Sequence, residues 1–122
     1  MRSNKMDDKK EEENDPFFRR MNEPTAAAAI TGPCGDTMEV YLVIKDETIQ
    51  EVSYYTDGCS NTRSCGKAIA SRALGRQVTD ALSISAGELI RSGDCTPAEG
   101  RHCAILAVST LYRAIADYLL TP

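Results

Sequence analysis

Met38-Glu39-Val40-Tyr41-Leu42-Val43-Ile44-Lys45 is the stretch that decides the fold. Met38, Val40, Leu42 and Ile44 share one face, and Glu39, Tyr41, Val43 and Lys45 share the other. A period of two with β-branched residues predicts a strand. Asp46-Glu47-Thr48 then reads as a turn, and Ile49–Thr56 as a second strand with Val52 and Tyr54 inward. The pair forms an antiparallel hairpin. Two strands alone are marginal in water, so helices must cover their apolar face.

Working outward, helical signals fill the chain downstream. A helix is predicted over roughly Thr62–Leu74, with Ile69, Ala73 and Leu74 at helical spacing and Gly75 as its stop. Thr79 can cap a short helix through Ile84. Ser85-Ala86-Gly87-Glu88 fits a capping box for another, ending near Gly93, and Thr96-Pro97-Ala98-Glu99 repeats the pattern. Gly100 weakens that start, which moves the last helix toward His102. Ala104, Val108, Leu111, Tyr112, Ile115, Tyr118 and Leu119 mark its core stripe. Upstream, Ala26–Ala29 has helical propensity but soon meets Thr31-Gly32-Pro33, so both helix and strand stay open there. The expected class is α+β: a small antiparallel β-sheet of two to three strands against about four helices.

The first 23 residues hold 13 of the 32 charged side chains. They show no apolar periodicity, so residues 1–23 read as a charged tail and 24–122 as the folded domain, with Met1–Asp15 expected to be disordered. The alternative is a partner-docking tail acting through Phe17 and Phe18. A net charge of -4 argues against a phosphate-backbone binder, so no nucleic-acid partner is expected. No uninterrupted apolar run approaches the roughly 20 residues of a membrane span. Met1–Arg20 lacks the apolar core of a signal peptide. A cytoplasmic protein without a membrane partner is expected.

Five cysteines in 122 residues do not read as a disulfide framework, because the number is odd and nothing directs export. Three of them lie at predicted element ends. Cys34 stands in Gly32-Pro33-Cys34-Gly35-Asp36 before the first strand. Cys59 follows Asp57-Gly58 after the second, and Cys103 follows His102 at the last helix. Hairpin pairing makes Cys34 and Cys59 neighbours in space. Adjacent residues on a helix diverge by about 100°, which disfavours a His102–Cys103 catalytic dyad. A metal centre tolerates that divergence. Three thiolates, one imidazole and the Asp36 carboxylate suit zinc or iron–sulfur chemistry.

With these residues in hand, the chain resembles the IscU/NifU N-terminal type of iron–sulfur cluster assembly scaffold from about Gly32 to Tyr118. The resemblance rests on Cys34-Gly35-Asp36 before a hairpin, Thr56-Asp57-Gly58-Cys59 after it and Ala68-Ile69-Ala70-Ser71 in the next helix. His102-Cys103 and Ala116-Asp117-Tyr118 complete it. It implies Cys34, Cys59 and Cys103 as cluster ligands, with Asp36 and His102 as exchangeable fourth ligands. It also implies a three-stranded sheet, in which Ala27–Thr31 is an edge strand. Family members served by a dedicated chaperone pair carry Leu-Pro-Pro-Val-Lys where this chain has Thr96-Pro97-Ala98-Glu99-Gly100, so the resemblance does not extend to chaperone docking. Cys65 and Cys95 are not ligands in the family and read as bystander thiols.

The function implied is that of a scaffold rather than an enzyme. Sulfur arrives from a cysteine desulfurase, iron joins it, and a transient [2Fe–2S] cluster passes to acceptor iron–sulfur apoproteins. The persulfide acceptor is Cys103. The alternative is a sulfur-acceptor partner of the desulfurase whose ligands hold zinc in the cluster-free form. A small zinc-stabilised interaction domain is a third reading.

Overall fold

The computed structural model describes residues 15–33, 35–93 and 100–120. Three antiparallel strands, β1 (Ala26–Thr31), β2 (Thr37–Lys45) and β3 (Thr48–Thr56), form one sheet in the order β1-β2-β3. Among the described residues four helices follow: α1 (Ser60–Ala73), α2 (Val78–Ala81), α3 (Ala86–Arg91) and α4 (Gly100–Leu120). The expected α+β class is what the chain adopts.

The hairpin forms where the alternation predicts it. Met38, Val40 and Leu42 are fully buried and Ile44 nearly so, while their neighbours on the other face are half-buried or exposed. Met38 pairs with Thr56 and Lys45 with Thr48, with one irregularity between Val43 and Ile44. The turn is tighter than predicted. Asp46 and Glu47 both take positive φ, as the right-handed twist of a two-residue hairpin demands, and Thr48 already belongs to β3. Ala26–Thr31 is a strand. Its backbone pairs with β2 from Ala26↔Leu42 to Thr31↔Thr37, and that pairing outweighs alanine's helical propensity.

Helices α1 and α4 cover the apolar face, with α1 on β3 and α4 across β1 and β2. Ile69, Leu111 and Ile115 meet Met38, Leu42, Ile49 and Tyr54 in the core. The approach of α1 depends on a glycine: a Cβ at Gly66 would stand 2.4 Å from the Tyr54 ring. Helix α4 meets length and composition tests for a membrane span. Its buried stripe of Ala104, Val108, Leu111 and Ile115 packs instead into the core of this domain.

Several boundaries differ from expectation. Thr79 does not cap α2; the N-cap is Gln77. The hairpin turn fixes that start, because Val78 N–H donates to Glu47 O and Ile49 N–H to Arg76 O. Ser85 does cap α3, accepting from Glu88 N–H at 3.1 Å. Leu119, placed on the core stripe of α4, is half-exposed. The proposed Thr96-Pro97-Ala98-Glu99 capping box lies outside the described residues.

Residues 15–20 lie along the free edge of β3. Arg19 N–H donates to Tyr54 O and Tyr54 N–H to Phe17 O. Tyr54 donates its hydroxyl to Asp15 at 2.6 Å, and Arg63 lies over the Phe18 ring. Burial and the neighbouring Asp15 push the Tyr54 phenol pKa well up.

Candidate metal centre

The ends of the hairpin and two helix starts meet at one corner of the molecule. The loop from β1 to β2 closes on itself, with Gly32 N–H donating to Asp36 O at 2.8 Å. Because Met38 pairs with Thr56, the residues just before β2 lie beside those just after β3. There Thr56 Oγ1 donates to Thr37 O at 2.6 Å and accepts from Gly58 N–H at 3.0 Å. Asp57 accepts from Thr37 N–H. This lattice holds Asp36 against Gly58 and delivers Cys59 as the N-cap of α1.

The helix starts at Ser60, earlier than predicted, so Cys59 sits at the positive end of α1. The Thr62 N–H and the Asn61 N–H hold its thiol below the ordinary cysteine value. They do so without closing a geometrically good cap hydrogen bond. Cys59 is exposed and Cys103 half-buried, and both are outside any disulfide. His102 is exposed at the start of α4.

Gly32, Pro33, Asp36, Cys59, Asn61, His102, Cys103 and Leu106 line one cavity of about 200 Å³. Four of the five predicted site residues therefore converge: Asp36, Cys59, His102 and Cys103. Cys34 lies outside the described residues. At the centre of the group stands Thr62, which the sequence reading did not single out. It is fully buried. Its Oγ1 donates to Asp36 Oδ2 at 2.9 Å and lies 3.3 Å from Cys103 Sγ and 3.8 Å from Cys59 Sγ. The two sulfurs are thus no farther apart than the sum of those last two distances. That is inside the ~8 Å allowed for ligands that close on a shared centre about 2.3 Å from each. Among the described residues, no three His, Cys, Asp or Glu side chains are already gathered tightly enough to hold an ion. Asp36, Cys59 and Cys103 are disposed about a hydroxyl instead. The available signal for Thr62 was its spacing, one helical turn from Cys59.

Cys65 corrects an expectation. Expected as a bystander thiol, it is disulfide-bonded. It is fully buried, one turn beyond Thr62 on α1. The compartment argument that disfavoured disulfides carries no information about which side chains the fold brings together. Cys95 lies outside the described residues.

The NifU-like N terminal domain matches residues 6–121. The chain is 32% identical over 85 residues to an IscU iron–sulfur cluster assembly scaffold protein of Archaeoglobus fulgidus, covering 70% of this chain and 56% of that protein. It spans little more than half of that relative's length. It is also 32% identical over 107 residues to the Escherichia coli K12 scaffold protein IscU, covering 83% of this chain and 80% of the relative. Among solved structures, a protein assigned as a SUF-system iron–sulfur cluster assembly scaffold from Fervidobacterium islandicum shares the fold. Its TM-score is 0.65 at 14% identity, over 82% of this chain and 87% of that one. The N-terminal part of a NifU-like protein from Brucella abortus gives a TM-score of 0.51 at 21% identity, over 87% and 77%.

Proposed function

Because this chain belongs to the family of NifU-like N-terminal domains, we propose that it is a scaffold for iron–sulfur cluster assembly. Iron and sulfur are its cargo. The cargo is built as a labile [2Fe–2S] cluster on Cys34, Cys59 and Cys103, with Asp36 or His102 as the exchangeable fourth ligand, and then passes to acceptor apoproteins. The partners are a cysteine desulfurase and those acceptors, and the setting is the cytoplasm. The observation that carries this reading is the shared cavity. Two thiols, a carboxylate and an imidazole from three separate element ends face it, with Cys59 and His102 open to solvent.

The donor set suits the cargo. Thiolates bind iron strongly, whereas a carboxylate oxygen or imidazole exchanges more readily. A cluster held partly by such a ligand, at an exposed rim, can leave. Cys103 is the assigned persulfide acceptor. Two Cys103 persulfides in turn return two Cys103 thiolates and deliver two sulfides for four electrons: two come from a thiol reductant and two from the pair of ferrous ions, which leaves a diferric [2Fe–2S] core.

A second reading rests on the same geometry. Two thiols with one nitrogen and one oxygen donor also suit tetrahedral zinc. In that case the protein accepts sulfur with zinc bound and stimulates the desulfurase without building a cluster. Anaerobic incubation with ferrous iron, cysteine, dithiothreitol and a cysteine desulfurase separates the two. The scaffold reading expects protein-bound iron and sulfide in equal amounts, with visible sulfide-to-iron charge-transfer absorption. Bound zinc with no iron or sulfide uptake, and a faster desulfurase, would support the alternative and overturn the scaffold.

A further inference from the structure

Thr62 is the buried polar group that the ligand set alone does not explain. A hydroxyl has one proton to give and two lone pairs. Here the proton goes to Asp36 Oδ2, at 2.9 Å, while Cys103 Sγ and Cys59 Sγ lie 3.3 and 3.8 Å from the hydroxyl oxygen. The carboxylate has little freedom to do otherwise. A Cβ at Gly58 would stand 2.7 Å from Asp36 Oδ2 and 2.9 Å from Thr62 Cβ. Asp36 therefore lies in a slot whose floor is a bare glycine and whose wall is Thr62. Thr62 itself is held by α1, one turn past Cys59.

We infer that Thr62 is a positioning residue for the metal cargo: its hydroxyl clamps one oxygen of Asp36 and so turns the other toward the cavity shared with Cys59 and Cys103. The inference rests on the scaffold reading above. Hydrogen bonds of this kind orient the groups that touch a metal, and removing one typically costs 10–100-fold in metal affinity. Valine has the shape of threonine without the hydroxyl, so Thr62→Val removes the clamp and leaves the volume. Serine keeps the hydroxyl and loses only a methyl.

The test titrates cobalt(II) as a spectroscopic probe into the full-length, dithiothreitol-treated protein under anaerobic conditions. Sulfur-to-cobalt charge-transfer bands report the thiolates, and the weaker ligand-field bands report geometry. Thr62→Val should bind about 10–100-fold more weakly, with its charge-transfer intensity retained at saturation and its ligand-field bands shifted. Thr62→Ser should bind within about threefold of the unaltered protein. In an Asp36→Asn background, adding Thr62→Val should cost little more, because the clamped group is already changed.

Equal cobalt affinity in the unaltered protein and Thr62→Val would overturn the inference. So would a Thr62→Ser loss as large as that of Thr62→Val, or a full extra loss in the Asp36→Asn background. Loss of the native near-ultraviolet circular dichroism in Thr62→Val would also count against it, by making the hydroxyl a requirement of folding. Failure of the unaltered protein to bind cobalt at all would instead strike the metal-site reading on which the inference stands.

Discussion

The carboxylate of Asp36 rests against the bare Cα of Gly58, so closely that a Cβ there would stand 2.7 Å from Asp36 Oδ2. The two residues are brought together by the hairpin, which pairs Met38 with Thr56 and so aligns the start of β2 with the end of β3. Gly58→Ala should therefore push Asp36 from its slot. In reconstituted protein, Asp36→Ala and Gly58→Ala should both yield a cluster that persists longer and passes more slowly to an apo-ferredoxin. Ion affinity and cluster exit are different quantities: a carboxylate adds a ligand to an entering ion, yet its exchange opens the assembled cluster. Transfer at the unaltered rate in both variants would remove Asp36 from the release step.

Cysteine chemistry should divide the chain by location. Cys59 and Cys103 line the cavity outside any disulfide, whereas Cys65 is fully buried and disulfide-bonded. Without reductant, iodoacetamide should label Cys59 and Cys103 and leave Cys65 unmodified; after reduction and unfolding, Cys65 should label as well. Peptide mapping by mass spectrometry reads both states. Labelling of Cys65 in the unreduced folded protein would contradict the disulfide. After incubation of the reduced protein with a desulfurase, the extra sulfur should map to Cys103.

The contact between α1 and β3 can be tested through stability. Gly66→Ala would place a methyl 2.4 Å from the Tyr54 ring, and a fully buried ring has little room to retreat. Overpacking of this kind typically costs about 1–3 kcal/mol. Urea unfolding should show that loss as a lower midpoint with an unchanged slope. An unchanged midpoint would mean that α1 does not lie where described.

Tyr54 sets the alkaline behaviour. Burial first, then its hydrogen bond to Asp15, raises its folded-state pKa above the ordinary ~10 of an unfolded tyrosine. The folded state therefore keeps a proton that the unfolded state gives up. The resulting stability is fully present below pH ~10 and is lost as the pH climbs toward the folded value. Phenolate absorbance at 295 nm should accordingly show one tyrosine that ionises only with unfolding. Tyr54→Phe should remove that late step. A late step that survives in Tyr54→Phe would place it on another tyrosine.

The hairpin was legible because its period-two pattern extends over eight residues from Met38, and each inward residue from Met38 to Ile44 is indeed buried. Pairing alone set Cys34 beside Cys59, and Cys34 lies outside the described residues; the same pairing brings Asp36, two residues further on, against Gly58. Ala26–Ala29 was ambiguous because its strand state depends on partners in β2 rather than on its own residues. Thr79 misled for a similar reason: the start of α2 is set by bonds from the hairpin turn. Thr62 went unnoticed because threonine on an alanine-rich helix carries no chemistry until Asp36 and Cys103 arrive from elsewhere in the chain. Cys65 shows the same limit, since a disulfide depends on two side chains whose meeting no local pattern records.

The central claim is that this corner of the fold carries an iron–sulfur cargo, and Mössbauer spectroscopy of protein loaded with ⁵⁷Fe and desulfurase-derived sulfur tests it most directly. The account predicts a quadrupole doublet of paired ferric iron in sulfur-rich sites, diamagnetic in applied field, that is absent when Cys59 and Cys103 are both replaced by serine. A spectrum showing only mononuclear or unbound iron in the unaltered protein, or the same doublet in the doubly substituted one, would contradict it.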